Sequence, residues 1–173
     1  DARRILRQRL ALPVDACCVL FLGGDWERKG LRDAISAVAG LPDVQLVVVG
    51  AGPQAPMLEH AARVGAAAQV RFVGKTTEPQ QWYQAADLLL FPSRYEAFSL
   101  VTLEAAASGL PIIAHAINGT EDLVTDGVNG YLSDWGVDAL RSHVLRLRDD
   151  GALRRSLGAA ARASSMRYAW DRI

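Results

Sequence analysis

Chemistry in this chain concentrates in two short stretches. The first is Phe91-Pro92-Ser93-Arg94-Tyr95-Glu96-Ala97-Phe98-Ser99-Leu100-Val101-Thr102-Leu103-Glu104-Ala105. An apolar strand ends at Phe91, Pro92 stops its ladder, and a polar loop carries Glu96 toward a helix opening near Ser99. The first N–H groups of such a helix lack intrahelical partners, and its dipole favours an anion there by about 0.3–1 kcal/mol per interaction. Glu104 falls a turn or two into the helix, in an apolar, alanine-rich stretch. A carboxylate in such surroundings costs several kcal/mol unless it is paired or hydrogen-bonded. A vicinal diol would satisfy it, since one carboxylate accepts from two hydroxyls. Other readings stay open: Glu104 capping a loop or pairing with an arginine, and Glu96 as a solvated loop residue.

The second stretch, Gly23-Gly24-Asp25-Trp26-Glu27-Arg28-Lys29-Gly30, leaves the first apolar run and ends in two cations at the start of a helix. Cations there oppose the helix dipole. A bound diphosphate would reverse that cost, the guanidinium acting in bidentate fashion and the ammonium as a point charge. The plainer alternative is a pair of solvated rim side chains.

Three look-alikes carry less. Gly50-Ala51-Gly52-Pro53-Gln54-Ala55 follows a strand as a dinucleotide fingerprint would. The ribose-holding acidic residue is missing about 20 positions on, and Pro53 has no N–H to offer, so a plain tight turn is expected. Gly74-Lys75-Thr76 resembles the end of a P-loop, but Gln69 stands where its first glycine belongs. Asp149-Asp150 sits between two helices and reads as a solvated turn.

The elements that must position these residues alternate. Nearly continuous apolar runs at Cys17–Leu22, Val44–Val49, Val70–Val73, Leu88–Phe91, Pro111–Ala114 and Gly130–Leu132 predict strands buried on both faces. Helical stretches at Lys29–Ala39, Pro56–Val64, Pro79–Ala86, Ser99–Ser108, Val137–Arg148 and Ala152–Ala163 separate or follow them, with a last piece from Tyr168. This alternation predicts an α/β fold, a Rossmann-like doubly wound parallel sheet of about six strands with helices on both faces. Ligands of such sheets bind beyond the carboxyl ends of the strands, where strand order reverses.

Composition bounds the rest. The 173 residues suit one domain. Nineteen basic residues balance nineteen acidic ones, giving no general attraction to nucleic acid. No apolar run approaches the roughly 20 residues of a membrane span, and the charged, helix-like start is not a signal peptide. Adjacent Cys17 and Cys18 read as buried thiols of a reducing cytoplasm. The three histidines lack metal-ligand spacing. Lys29 and Lys75 are the only lysines, against seventeen arginines.

Taken together, these residues resemble the C-terminal donor-binding domain of the retaining glycosyltransferases of family 4, also called group 1, which have the GT-B fold. The resemblance rests on Glu96 and Glu104 as an E-x7-E pair, on the Gly109-Leu110-Pro111-Ile112-Ile113-Ala114 continuation, and on the Gly24–Gly30 loop, similar to that of lipopolysaccharide-core glucosyltransferases. Asn118-Gly119-Thr120-Glu121, Asp126-Gly127-Val128-Asn129-Gly130 and Tyr168-Ala169-Trp170 extend it over essentially the whole chain. It implies that Arg28 and Lys29 bind the diphosphate and neutralise the leaving group, that Glu104 holds the ribose hydroxyls, and that Glu96 contacts the transferred sugar. The backbone of Phe98, Ser99 and Leu100 would meet sugar and phosphates, and Gly24, Val73, Gly74 and Lys75 would complete the donor site near the base. Many relatives have glycine at the positions of Ala97 and Ser99, so a tighter pocket is expected.

The resemblance further implies a nucleoside diphosphate sugar, UDP- or GDP-linked, as donor, with no metal or cofactor, and an N-terminal acceptor-binding domain absent from this sequence. Residues 1–173 would form a single nucleotide-sugar-binding domain of a cytoplasmic enzyme working at the inner face of the membrane. The rival readings are a nucleotide-binding regulatory module without chemistry, and a related GT-B epimerase or phosphorylase.

Overall fold

In the computed structural model of the chain, residues 2–168 are described. Each apolar run becomes a strand: β1 (Cys17–Leu22), β2 (Val44–Val49), β3 (Val70–Gly74), β4 (Leu88–Phe91), β5 (Ile112–His115) and β6 (Gly130–Ser133). They form one six-stranded sheet in the order β3-β2-β1-β4-β5-β6, parallel at every pairing. The runs are apolar throughout because helices cover both faces. Cys17, Val19 and Phe21 point into one core with α2 (Leu31–Val38), α3 (Gln54–Arg63) and α7 (Val137–Asp149). Cys18 and Leu20 point into the other, with α4 (Pro79–Ala85), α5 (Leu100–Ala107) and α8 (Gly151–Ser165). No helix among the described residues is long and apolar enough to cross a membrane.

Some boundaries depart from the expected ones for local reasons. α2 begins at Leu31 and not at Lys29, because Gly30 takes φ 75°, a left-handed conformation that a right-handed helix cannot run through. The expected loop after β5 contains one helical turn, α6 (Asn118–Glu121), whose Thr120 hydroxyl accepts from the Ile117 N–H and donates to the His115 carbonyl. The last piece, expected from Tyr168, lies outside the described residues except for Tyr168 itself, which closes a 3-10 turn at Met166–Tyr168. The Asp149-Asp150 pair is the expected turn: Asp150 caps α8 through the Leu153 N–H, while Asp149 takes Arg148.

The amino-terminal helix α1 (Ala2–Arg9) is anchored by Arg7, which is buried against Asp87 at 2.7 Å and also donates to the Ala85 carbonyl. Asp87 in turn accepts from the Cys18 N–H. Breaking such a buried pair by removing one partner costs about 3–5 kcal/mol, which ties α1 to the amino ends of β1 and β4. A depression of about 580 Å³ at this pole is lined by Arg7, Asp43, Asp87, Arg148, Asp149 and Arg154. It lies at the wrong end of the strands for a ligand of this sheet type, and its arginines are engaged by Asp87 and Asp149.

Cys17 and Cys18 lie buried on opposite faces as free thiols. Burial pushes Cys17 from 9.0 up to about 12 and Cys18 up to about 11. Iodoacetamide at pH 8 should therefore label neither until denaturant unfolds the chain. Because the folded chain holds these protons more tightly than the unfolded one, stability should fall as pH rises above about 9. Rapid labelling of the native chain would contradict this.

Candidate donor site

Strand order reverses between β1 and β4, which pair through Val19 with Leu88 and Leu20 with Leu89. The connections leaving their carboxyl ends therefore part in opposite directions and open a crevice. The loop after β1 is held by Trp26, which is 1% exposed. Its indole N–H donates to the Gly23 carbonyl, and its ring packs on Phe72 and against Gly52. Trp26 is thus the buried peg that presents its neighbours Arg28 and Lys29 at the crevice.

Lys29 runs its stem over Gly23, where a Cβ would meet the lysine Cδ at 2.7 Å. Its ammonium lies 4.6 Å from the centre of the Phe91 ring and 2.8 Å from Glu96 Oε1. Arg28 donates to Asp25 at 2.8 Å, to the Tyr95 carbonyl at 2.7 Å and to Glu96 at 3.3 Å. The Arg28 guanidinium holds the Asp25 carboxyl below the usual carboxylate range. Glu96 also accepts from the Ser93 hydroxyl at 2.8 Å. The Lys29 and Glu96 side chains are 12% and 11% exposed, so neither is the solvated rim or loop residue that the plainer readings offered. With Asp25 and Arg28 they form an electrically neutral cluster of four charges.

Backbone contacts lock the loops to one another. The Arg94 N–H donates to the Arg28 carbonyl. Gly30 abuts the Pro92 carbonyl so closely that a Cβ would lie 2.2 Å from its oxygen. Gly119 of α6 also abuts the Glu96 backbone, where a Cβ would lie 2.6 Å from the carbonyl oxygen. Sequence reading gave these two glycines no role. Only their approach to loops remote in sequence reveals one.

α5 points its amino end at the same crevice. Ser99 is buried and caps the helix, accepting from the Thr102 N–H, while Thr102 donates back to the Ser99 carbonyl. The helix itself supplies no partner for the Leu100 and Val101 N–H groups. Phe98 and Leu100 are exposed at 41% and 63%, and the Phe98 ring lies 5.8 Å from that of Tyr168. Ser99, one of the two expected departures from glycine, therefore works as the helix cap.

Glu104 differs from expectation. Its position on α5 is exposed, not buried in the alanine-rich face, so it incurs no large desolvation cost. Neither a loop cap nor an arginine is its partner among the described hydrogen bonds. It accepts instead from the Tyr83 hydroxyl of α4 at 2.8 Å.

Next to this edge lies a cavity of about 340 Å³ lined by Leu22, Gly23, Gly24, Val49, Gly50, Ala51, Lys75, Thr76 and Pro79. Gly24 and Lys75 are thus brought together, with Gly74 at φ 86° turning the chain toward them. Val73 is not on that wall, and its side chain packs with the core beneath α4. The Gly50-Ala51 turn, expected to be a plain connection, forms one side of the cavity. Gly50 permits this by lying against the Gly23 carbonyl, 2.1 Å from where its Cβ would stand. Pro79 borders this cavity and also a smaller one of about 210 Å³ that contains Tyr83 and Glu104. Among the described residues no cluster of three or more His, Cys, Asp or Glu is placed to hold a metal.

Known proteins with this sequence and shape converge. The chain is 40% identical to the D-inositol 3-phosphate glycosyltransferase of Xylanimonas cellulosilytica, covering 98% of itself and 43% of that protein. It spans less than half the length of the curated relatives it matches. In structure it is similar to WaaG, a glycosyltransferase involved in lipopolysaccharide biosynthesis, with TM-score 0.88 and 28% identity over 96% of this chain and 47% of that one. It is also similar to Anabaena HepE in complex with UDP, with TM-score 0.90 and 26% identity over 95% of this chain and 48% of that one. The glycosyl transferases of group 1 match this chain over residues 2–164, and the chain belongs to that family.

Proposed function

We propose that this chain is the nucleotide-sugar-binding domain of a retaining, metal-independent glycosyltransferase, and that it holds the donor while an N-terminal domain presents the acceptor hydroxyl. The observation that carries this reading is the convergence of Arg28, Lys29 and Glu96 with the amino end of α5 at the β1/β4 reversal. Arg28, Lys29 and the free N–H groups of α5 supply cationic and dipolar partners where a diphosphate leaving group gathers charge. Glu96 faces the transferred sugar, and Glu104 accepts from the ribose hydroxyls. The base enters the cavity between Gly24, Gly50 and Lys75. A uridine nucleotide is favoured because HepE, a similar structure, was solved with UDP and with UDP-glucose. Buried free thiols agree with a cytoplasmic enzyme.

Glu96 and Asp25 engage the two cations. A diphosphate binds by replacing these partners, at least in part, so affinity reflects an exchange and not the capture of free cations. Calorimetric titration with UDP, GDP, ADP and their glucose conjugates tests the reading. UDP should bind selectively, and Glu104→Ala should weaken it about tenfold or more, the scale of a hydrogen bond to a charged group. A folded chain that gives no saturable heat with any of the nucleotides would overturn the proposal.

A further inference from the structure

Tyr83 is a buried side chain whose only polar atom reaches toward the surface. The residue is 2% exposed, packed with Trp82 and Ala85 against the core on the α5 side of the sheet. Its hydroxyl donates to Glu104 Oε2 at 2.8 Å, across from α4 to α5. Burial and the neighbouring carboxylate push the phenol far above its ordinary range, so it remains a proton donor wherever the protein is folded. Glu104 by contrast stands on the exposed side of its helix, where a glutamate has several rotamers available and solvent satisfies each of them. A carboxylate that must read two hydroxyls is useful only if it is held in one orientation.

We propose that Tyr83 is the positioning residue for Glu104. Its hydroxyl occupies one lone pair of Oε2, fixes the carboxylate plane, and leaves the other oxygen and the remaining lone pairs to accept from a ribose diol. The inference rests on the donor-domain reading above and deepens it, because it makes hydroxyl recognition depend on a residue that does not touch the nucleotide. The geometry supports this in two ways. The rigid partner is the buried one, so the hydrogen bond transfers the order of the core to an exposed side chain. Tyr83 and Glu104 also line the same small cavity, which shares Pro79 with the larger cavity assigned to the base. A diol attached to a base in the larger cavity therefore lies next to the carboxylate.

The test uses the 173-residue chain, UDP and 2′,3′-dideoxy-UDP, and the variants Tyr83→Phe, Glu104→Ala and the double variant. The chain as it stands should prefer UDP over the dideoxy analogue by about tenfold or more, as expected when a charged acceptor loses its hydroxyl partners. Tyr83→Phe should shrink that preference several-fold and leave affinity for the dideoxy analogue unchanged. In the Glu104→Ala background the same change should have no further effect on either ligand. A purely structural role would lower the melting temperature and weaken both ligands together, or neither, with the preference intact. Full preference in a folded Tyr83→Phe chain would overturn the positioning role and leave the donor reading standing. Equal affinity of the unmodified chain for UDP and the analogue would overturn both the ribose role of Glu104 and the inference built on it. Should Tyr83→Phe fail to fold, Glu104→Asp, which draws the carboxylate back from the phenol, carries the same expectation of a reduced preference.

Discussion

Replacing Arg28 and Lys29 together by alanine should weaken UDP binding by about two orders of magnitude or more, since each charge-assisted hydrogen bond to phosphate contributes about 1.5–3 kcal/mol. The fold should survive. Arg28 is 39% exposed on its side chain, and the peg of this loop is Trp26, which neither change touches. Lys29→Ala takes the 2.8 Å partner from Glu96, but the Ser93 hydroxyl still donates to that carboxylate. The loss of folding stability should therefore be smaller than the loss of binding free energy. Affinity of the unmodified chain should also fall steeply with added salt, and that dependence should flatten in the double variant. Calorimetry at two ionic strengths, with a melt of each protein, decides the matter. Unaltered UDP affinity would mean that the two cations serve only Glu96 and that the diphosphate lies elsewhere.

Gly119→Ala should separate the sugar from the nucleotide. A Cβ there would stand 2.6 Å from the Glu96 carbonyl oxygen, 2.7 Å from its Cβ and 2.9 Å from its carbonyl carbon. Backbone must move, and the part that moves is the segment carrying Glu96. Overpacking of this kind costs about 1–3 kcal/mol of stability. Its functional effect is more selective. Arg28 and Lys29 touch that segment through Tyr95 and Glu96, but Trp26 holds their own loop, so UDP affinity should fall less than UDP-glucose affinity. The extra affinity of UDP-glucose over UDP, which requires Glu96 at the sugar, should disappear. Asn118→Ala, at the exposed neighbouring position, should alter neither value. Titrations of both ligands into the two variants check this, and a UDP-glucose advantage that survives in Gly119→Ala would remove Glu96 from the sugar.

Much of the architecture is legible in the sequence alone, for a physical reason that particular strands show. A parallel strand covered on both faces must be apolar at every position, so Val44–Val49 and Leu88–Phe91 announce themselves by composition alone. Alternation of such runs with helical stretches leaves few topologies. The cationic pair and the E-x7-E pair were also legible, because each follows a strand end where ligands of such sheets bind. Boundaries were less so. The start of α2 depends on Gly30 at φ 75°, and nothing in Lys29-Gly30-Leu31 forces that angle without Pro92 pressed against it.

The linear sequence thus determined the layers, the strand assignments and the residue types available at the carboxyl edge, since these depend on local pattern and burial. Tertiary structure alone decided how those residues are engaged, since pair contacts depend on strand order. Lys29 and Glu96 lie far apart in the chain and meet because β1 and β4 are neighbours. The same adjacency makes Lys29 and Glu96 a mostly buried pair and not the solvated side chains of the plainer alternatives. Glu104, which looked buried in an alanine-rich helix, is exposed because α5 turns that side away from the sheet and toward Tyr83. Gly50-Ala51, a plain turn by its pattern, forms a cavity wall because β2 lies beside β1 and its backbone packs on Gly23. Which groups a sequence contains is a local matter, but a group's neighbours, and with them its solvation and charge partners, are set by contacts between segments remote in the chain.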